Sequence, residues 1–213
     1  MELKKQKNYQ QAFDLACSAI KGLDLEERSQ SAGAAYARRP EGEEVSLHFF
    51  SDPQTIRFPE VVFSAPEKKT VSLVTRVILL HYLIRADGGP LTGKWVGYKD
   101  IRGGLLYAGV FARRVTEPLA RRFGRSARQF QEAGLRCGGS PAGLGDASFT
   151  LTALPRIPLQ FVLWEGDEEF PASVQVLFDA SIDHYLPLED AVVLGQMAAG
   201  RLFLRSTQST QTL

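Results

Sequence analysis

An α+β fold with antiparallel pairing is what this chain predicts, on three observations. Short alternating apolar runs cluster near both ends of the chain, helix-like runs fill the middle, and turn residues rather than long crossovers separate neighbouring strand-like runs. The expected arrangement is a single domain over residues 1–205, with one antiparallel sheet formed from N- and C-terminal strands and packed against a central helical block. A length of 213 residues with 44% hydrophobic and 23% charged residues suits a globular core.

Taken in order, residues 1–20 read as an outer helix, because Leu3, Ala12, Phe13, Leu15, Ala16, Ala19 and Ile20 fall mostly on one stripe and Gly22 ends it. Residues 24–44 are small and charged and read as a surface connector, with a short strand near Ala34–Arg38. Val45–Phe50 and Thr55–Phe58, separated by Ser51-Asp52-Pro53-Gln54, predict a hairpin; His48 falls on the face opposite Leu47 and Phe49. Pro66 and Glu67 are placed to open a helix that runs through Arg85 and is apolar on nearly every side. Two further helices follow, Leu105–Arg122 and Ser126–Arg136, the second capped by Ser126, with Gly124 and Gly138 as their stops. Strands are expected over Ala147–Leu154, Ile157–Trp164 and Ser173–Phe178, then a helix over Leu188–Phe203 entered through Pro187. Residues 206–213, rich in Ser, Thr and Gln, predict a disordered tail.

The net charge of +1 conceals an asymmetry. Residues 1–75 carry ten Lys/Arg and eleven Asp/Glu, residues 76–136 twelve and four, and residues 137–213 three and nine. The cationic middle block suits either a solvated arginine surface neutralised by the acidic last third or a patch for carboxylates and phosphates. Nucleic acid is not expected, since the pI is near 7.8 and no nucleic-acid-binding signature is present. No apolar run reaches the length of a membrane span, and the start Met1-Glu2-Leu3-Lys4-Lys5-Gln6 lacks a signal-peptide core, so a cytoplasmic protein is expected. Cys17 and Cys137 are too isolated for a disulfide framework or a zinc site.

The most chemistry-rich segment is 87–104, with six glycines, two aromatics and three cations between helix-like runs. Glycines there allow bare backbone N–H groups to approach an anion. Gly88, four residues, then Gly93-Lys94 nearly spells a phosphate-binding loop, but Trp95 stands where magnesium coordination needs Ser or Thr, and a helix rather than a strand precedes it. A second glycine-rich loop spans 137–146. Trp164-Glu165-Gly166-Asp167-Glu168-Glu169-Phe170-Pro171 crowds four carboxylates, which serve as a solvated turn or as an acid/base or hard-metal cluster. His81, in the most apolar helix, is either a hydrogen-bonded core side chain or a metal ligand. His184, near Asp179 and Asp183, reads as a surface turn. No Gly-x-Ser-x-Gly elbow supports a serine hydrolase.

Several of these motifs occur together: Leu79-Leu80-His81-Tyr82-Leu83, Asp87-Gly88, Pro90-Leu91-Thr92-Gly93-Lys94-Trp95, Trp164 through Ala172, Leu177-Phe178-Asp179 and Tyr185-Leu186-Pro187. In this set the chain resembles, over most of its length, the uncharacterised prokaryotic family labelled domain of unknown function 3786. The resemblance implies a setting in anaerobic bacteria and archaea, where some members are fused to a small cysteine-rich iron–sulfur module of the kind found in corrinoid proteins. With two cysteines, this chain lacks that module. By that analogy, tetrapyrrole or one-carbon metabolism is favoured over nucleotide chemistry.

The resulting expectation is a cytoplasmic ligand-binding protein that holds an anionic cofactor, haem or a corrinoid, between the central helix and the glycine loop. His81 is the expected axial metal ligand, Trp95 and Tyr98 the stacking groups, and Lys94, Lys99 and Arg102 the partners of the cofactor's periphery. Two alternatives stay open. One is a small enzyme using Glu165, Asp167, Glu168 and His81 or His184 in acid/base or metal-assisted chemistry. The other is an accessory subunit whose arginine face docks an acidic protein partner.

Overall fold

A computed structural model describes residues 2–207, and within it the chain gathers into two compact units. The class is α+β, and the sheets are antiparallel. The strands do not join into one sheet as expected: the N-terminal strands form a four-stranded sheet and the C-terminal strands a separate five-stranded one. The reason is that each sheet is completed by a segment of its own that reads as loop or connector in the sequence.

The first unit comprises Met1–Pro90, Leu154–Arg156 and His184–Pro187. Its first helix, α1 (Glu2–Ile20), packs against α3 (Leu73–Arg85). Between them in sequence, the supposed connector forms α2 (Leu25–Ala32), which has few apolar residues but well-made ends. The Asp24 carboxylate accepts from the Glu27 N–H at 3.0 Å, and Gly33, at φ 66, closes the last turn. Strands β1 (Ala35–Arg39), β2 (Gly42–Phe49), β3 (Asp52–Phe58) and β4 (Val62–Ser64) then pair in sequence order. The register sets Val45 opposite Ile56 and Leu47 opposite Gln54, and His48 is exposed while Leu47 and Phe49 are buried. Asp52, Pro53 and Gln54, expected as turn residues, belong to β3.

Pro66 does not open α3. It begins a single 3₁₀ turn in which Glu67 takes φ 56, incompatible with continuing a helix, and α3 starts later under the Ser72 side chain, which accepts from the Thr75 N–H at 3.2 Å. Tyr82, wholly buried on α3, donates to the Ala32 carbonyl at 2.5 Å and accepts from the Arg156 N–H at 3.0 Å.

The second unit comprises Leu91–Ala153, Ile157–Asp183 and Leu188–Leu213. Its sheet contains β5 (Trp95–Gly97), β6 (Ser140–Pro141), β7 (Ala147–Leu154), β8 (Ile157–Trp164) and β9 (Ser173–Asp179), in the order β5-β9-β8-β7-β6. The run expected as one helix over Leu105–Arg122 is composite. A 3₁₀ turn over Gly104–Tyr107 leads into α4 (Ala108–Phe111), a π-helical turn over Ala112–Thr116, and α5 (Glu117–Phe123). Then come α6 (Ala127–Arg136), capped by Ser126 as the sequence indicates, and α7 (Leu188–Thr207). Phe123, Phe130, Phe149 and Phe161 form a continuous run of ring contacts from helix to sheet, with centroids 4.9–5.4 Å apart. Gly134 permits it, since a Cβ there would lie 2.4 Å from the Phe149 ring. Of the expected disordered tail, Ser206 and Thr207 are the last residues of α7, and 208–213 lie outside the described residues.

Candidate functional site

The glycine loop of the second unit does present its N–H groups to an anion, and the anion is the protein's own. Asp179, 4% exposed at the end of β9, accepts from the Thr92 N–H at 3.0 Å, the Thr92 hydroxyl at 2.9 Å and the Ser181 N–H at 2.9 Å through Oδ1. Its Oδ2 accepts from the Gly93 N–H at 2.7 Å. Burial alone pushes this carboxyl up, but the bonds from Thr92 and Ser181 outweigh it and bring it down to about 2. The ring of donors is a nest for negative charge, closed by Gly93 at φ 68. The expectation that these amides receive a ligand is corrected accordingly. Their work is to pin the loop onto β9, a clamp continued by the Ala180 N–H donating to the Lys94 carbonyl at 2.8 Å.

Pinning the loop sets Trp95 opposite Asp179, Val96 opposite Phe178 and Gly97 opposite Leu177, and there β5 ends. On its other side β9 pairs with β8 along its length from Ser173 to Phe178. Ser173–Val176 therefore have a strand partner on one side only, and among the described residues no other hydrogen bond reaches them. Every second residue of such a stretch directs its N–H and C=O to the open side. Beside it lies a cleft of about 750 Å³, within the size range of small-molecule sites. One wall is Lys94 to Asp100, a second is Val174 to Leu177, and the third is Ala108, Phe111, Ala112 and Thr116. That third wall contains the π-helical turn, a geometry that recurs at functional sites because its wider backbone ring displaces side chains from the regular helical positions.

Of the residues singled out from sequence, Lys94, Trp95, Tyr98 and Lys99 line this cleft. Among the described residues, neither lysine has a carboxylate within ion-pair distance. Tyr98 forms the floor: it is buried, its ring stacks on Phe111 at 4.5 Å and 6°, and its hydroxyl donates to the Leu188 carbonyl at 3.2 Å. Burial, reinforced by Glu189 and Tyr107, pushes its phenol up to about 12, so it stays neutral. Trp95 remains partly exposed. Arg102 is exposed and is not among the lining residues. His81 belongs to α3 of the first unit, is partly buried, and does not line the cleft either. Residues 137–146 take no part in it.

The acidic turn after β8 is built into the local structure. The Glu165 carboxylate accepts from the Ala127 N–H at the start of α6, and the Asp146 carboxylate accepts from the Glu165 N–H at 2.7 Å. Asp167 accepts from the N–H groups of Glu169 and Phe170, at 2.9 and 2.7 Å, which hold its carboxyl below the usual range. Among the described residues, no three His, Cys, Asp or Glu side chains gather closely enough to hold a metal ion. His184, in the first unit, sets its Nδ1 2.7 Å from Asp87 Oδ2, and Asp87 Oδ1 accepts from the Gly89 N–H at 2.9 Å. Within the arginine block Arg121 pairs with Glu117, and Arg128 and Arg136 pair with Glu132; Arg136 also donates to the Arg205 carbonyl at 3.1 Å and Arg122 to the Ser206 hydroxyl at 3.0 Å. Both cysteines are free thiols, and burial pushes both up.

Sequence reasoning reached the cleft's first wall because those residues are contiguous. It missed Phe111, Ala112 and Thr116, whose π-helical geometry has no compositional mark, and it read Val174–Leu177 as core strand alone.

Together these features define an α+β protein with a mixed polar and apolar cleft at the incomplete edge of a sheet. Residues 24–201 match the family model described as a domain of unknown function (DUF3786), and the chain belongs to that family. No curated protein and no solved structure matches it. No helix among the described residues is long and apolar enough to cross a membrane.

Proposed function

We propose that this chain is a ligand-binding protein whose cleft holds an anionic molecule with a flat apolar body. One observation carries the reading: Lys94, Trp95, Tyr98 and Lys99, chosen for their chemistry, converge on a single cleft of about 750 Å³. The ammonium groups of Lys94 and Lys99 favour carboxylates, Trp95 offers a face for stacking, and the open edge of β9 offers donors and acceptors to amide or acid groups. Val174, Val176 and Phe111 supply an apolar wall.

A tetrapyrrole, haem or a corrinoid, is the ligand we propose, linked to anaerobic one-carbon metabolism through the family likeness. What supports this choice is the chemistry of the lining, where Trp95 suits the face of such a ring and Lys94 and Lys99 its acidic edge. His81, the expected metal ligand, is on α3 of the first unit and is not among the residues that line the cleft, and the Tyr98 hydroxyl donates to the Leu188 carbonyl. The proposal therefore rests on the periphery of the ring, without a bond to its metal.

The test is an absorbance titration of the purified chain with haem and with a corrinoid. A shifted band is expected with one of them, with Trp95→Ala and a Lys94→Gln/Lys99→Gln pair each weakening binding roughly tenfold and His81→Ala leaving it unchanged. Unshifted spectra with both compounds would remove the tetrapyrrole. Binding indifferent to both cleft variants would remove the cleft.

A further inference from the structure

Beside the cleft, the second unit displays a feature that its ligand reading does not use. Leu105, Leu106 and Tyr107 stand consecutively in the 3₁₀ turn with 74%, 85% and 45% of their surfaces exposed. Single exposed leucines are ordinary, but three large apolar side chains in a row are not. The backbone beneath them is firmly set. Gly103 adopts φ 81, the Gly104 N–H donates to the Ile101 carbonyl at 2.7 Å, and a Cβ on Gly104 would fall 1.9 Å from the Tyr98 carbonyl oxygen. A turn that only glycines can make thus holds the three side chains outward.

Cations surround this turn in the chain. Lys99, Arg102, Arg113 and Arg114 are all exposed, and Arg113 reaches back so that its Nε donates to the Gly109 carbonyl at 3.3 Å, within the first turn of α4. Within residues 99–114 the one carboxylate is Asp100, which lines the cleft. Four cations against one carboxylate leave this stretch of chain at +3.

We propose that Leu105–Leu106–Tyr107 is a peripheral docking site for an anionic lipid surface, the apolar side chains entering the headgroup boundary while the surrounding cations meet the lipid phosphates and carboxylates. Apolar residues ringed by Lys and Arg are the composition that interfacial binding needs, since neither element alone holds a protein at a bilayer. Three side chains also offer far less than the roughly 800 Å² per partner of a stable protein interface. Such a contact requires no spanning segment.

The experiment is co-sedimentation of the full chain with vesicles of phosphatidylcholine alone and of phosphatidylcholine with phosphatidylserine, at low and at physiological salt. The chain should pellet with the anionic vesicles only. A Leu105→Ser/Leu106→Ser variant should lower the partition coefficient roughly tenfold, and Arg102→Gln/Arg113→Gln should lower it and flatten its salt dependence. All four positions are exposed, so unchanged thermal unfolding is the control. Absence of pelleting with anionic vesicles overturns the proposal, as does pelleting that the double serine variant leaves intact. A dimer in sedimentation velocity that the serine variant dissociates, without vesicle binding, assigns the turn to contact between copies instead.

Discussion

Two aspartates each grip a glycine-bearing segment, and they do so under opposite conditions. Asp179, in the second unit, is buried and accepts four hydrogen bonds, three from backbone N–H groups and one from a hydroxyl. Asp87, in the first, is largely exposed and divides itself between the Gly89 N–H and the His184 ring. A buried carboxylate bound by fixed donors cannot exchange them for water, whereas an exposed one can, so a similar count of polar contacts has different worth. Contacts that are alike in kind, a carboxylate on the amides of a glycine-bearing segment, are structural mortar in one place and surface decoration in the other.

The largest effect belongs to Asp179→Asn, which sets an amide NH₂ against N–H donors. It should cost about 2–3 kcal/mol of unfolding free energy in urea and weaken any cleft ligand as Lys94 and Trp95 lose their anchor. The acid limb carries the same point. With its carboxyl lowered to about 2 in the folded chain, Asp179 contributes stability fully present above the ordinary unfolded value and lost as pH falls through about 2. Unfolding measured from pH 5 downward should show a shallower loss in Asp179→Asn than in the wild type.

Substitutions at Gly93 and Gly89 have intermediate effects. Gly93 sits at φ 68 with open space where a Cβ would go, so Gly93→Ala meets backbone strain of about 1 kcal/mol and no clash. Gly89→Ala would instead place a methyl 2.9 Å from the His184 ring, which is at the surface and can swing away. Thermal unfolding should therefore drop more for Gly93→Ala. The smallest effect belongs to Asp87→Asn and His184→Asn, each expected within about 0.5 kcal/mol and smaller still at high salt.

How much of this was legible in the sequence follows from range. The β2–β3 hairpin, strands β7 to β9, and helices α6 and α7 announce themselves by alternation, apolar runs and end residues such as Ser126 and Pro187. Helix α2 escaped because Asp24 and Gly33 define it while its interior, Leu-Glu-Glu-Arg-Ser-Gln-Ser-Ala, has no apolar stripe. Pro66 misled because a proline suited to a helix start is equally suited to an isolated turn, and the Ser72 cap was the better signal. Strand β5 is three residues long and exists through its register with β9, some eighty residues away. The same distance hid the identity of the anion: Thr92 and Gly93 are visible as a cradle, but nothing near them in the chain says that Asp179 fills it.

The early end of β5 has a further consequence. Were the chain to follow β9 for another few residues before turning away at Gly97, the sheet would consume the main-chain groups now directed outward, and the hollow would be filled by the protein's own backbone. An insertion that lengthened this strand would thus abolish the cavity while improving the fold, so capacity for a guest here is traded directly against completeness of the host.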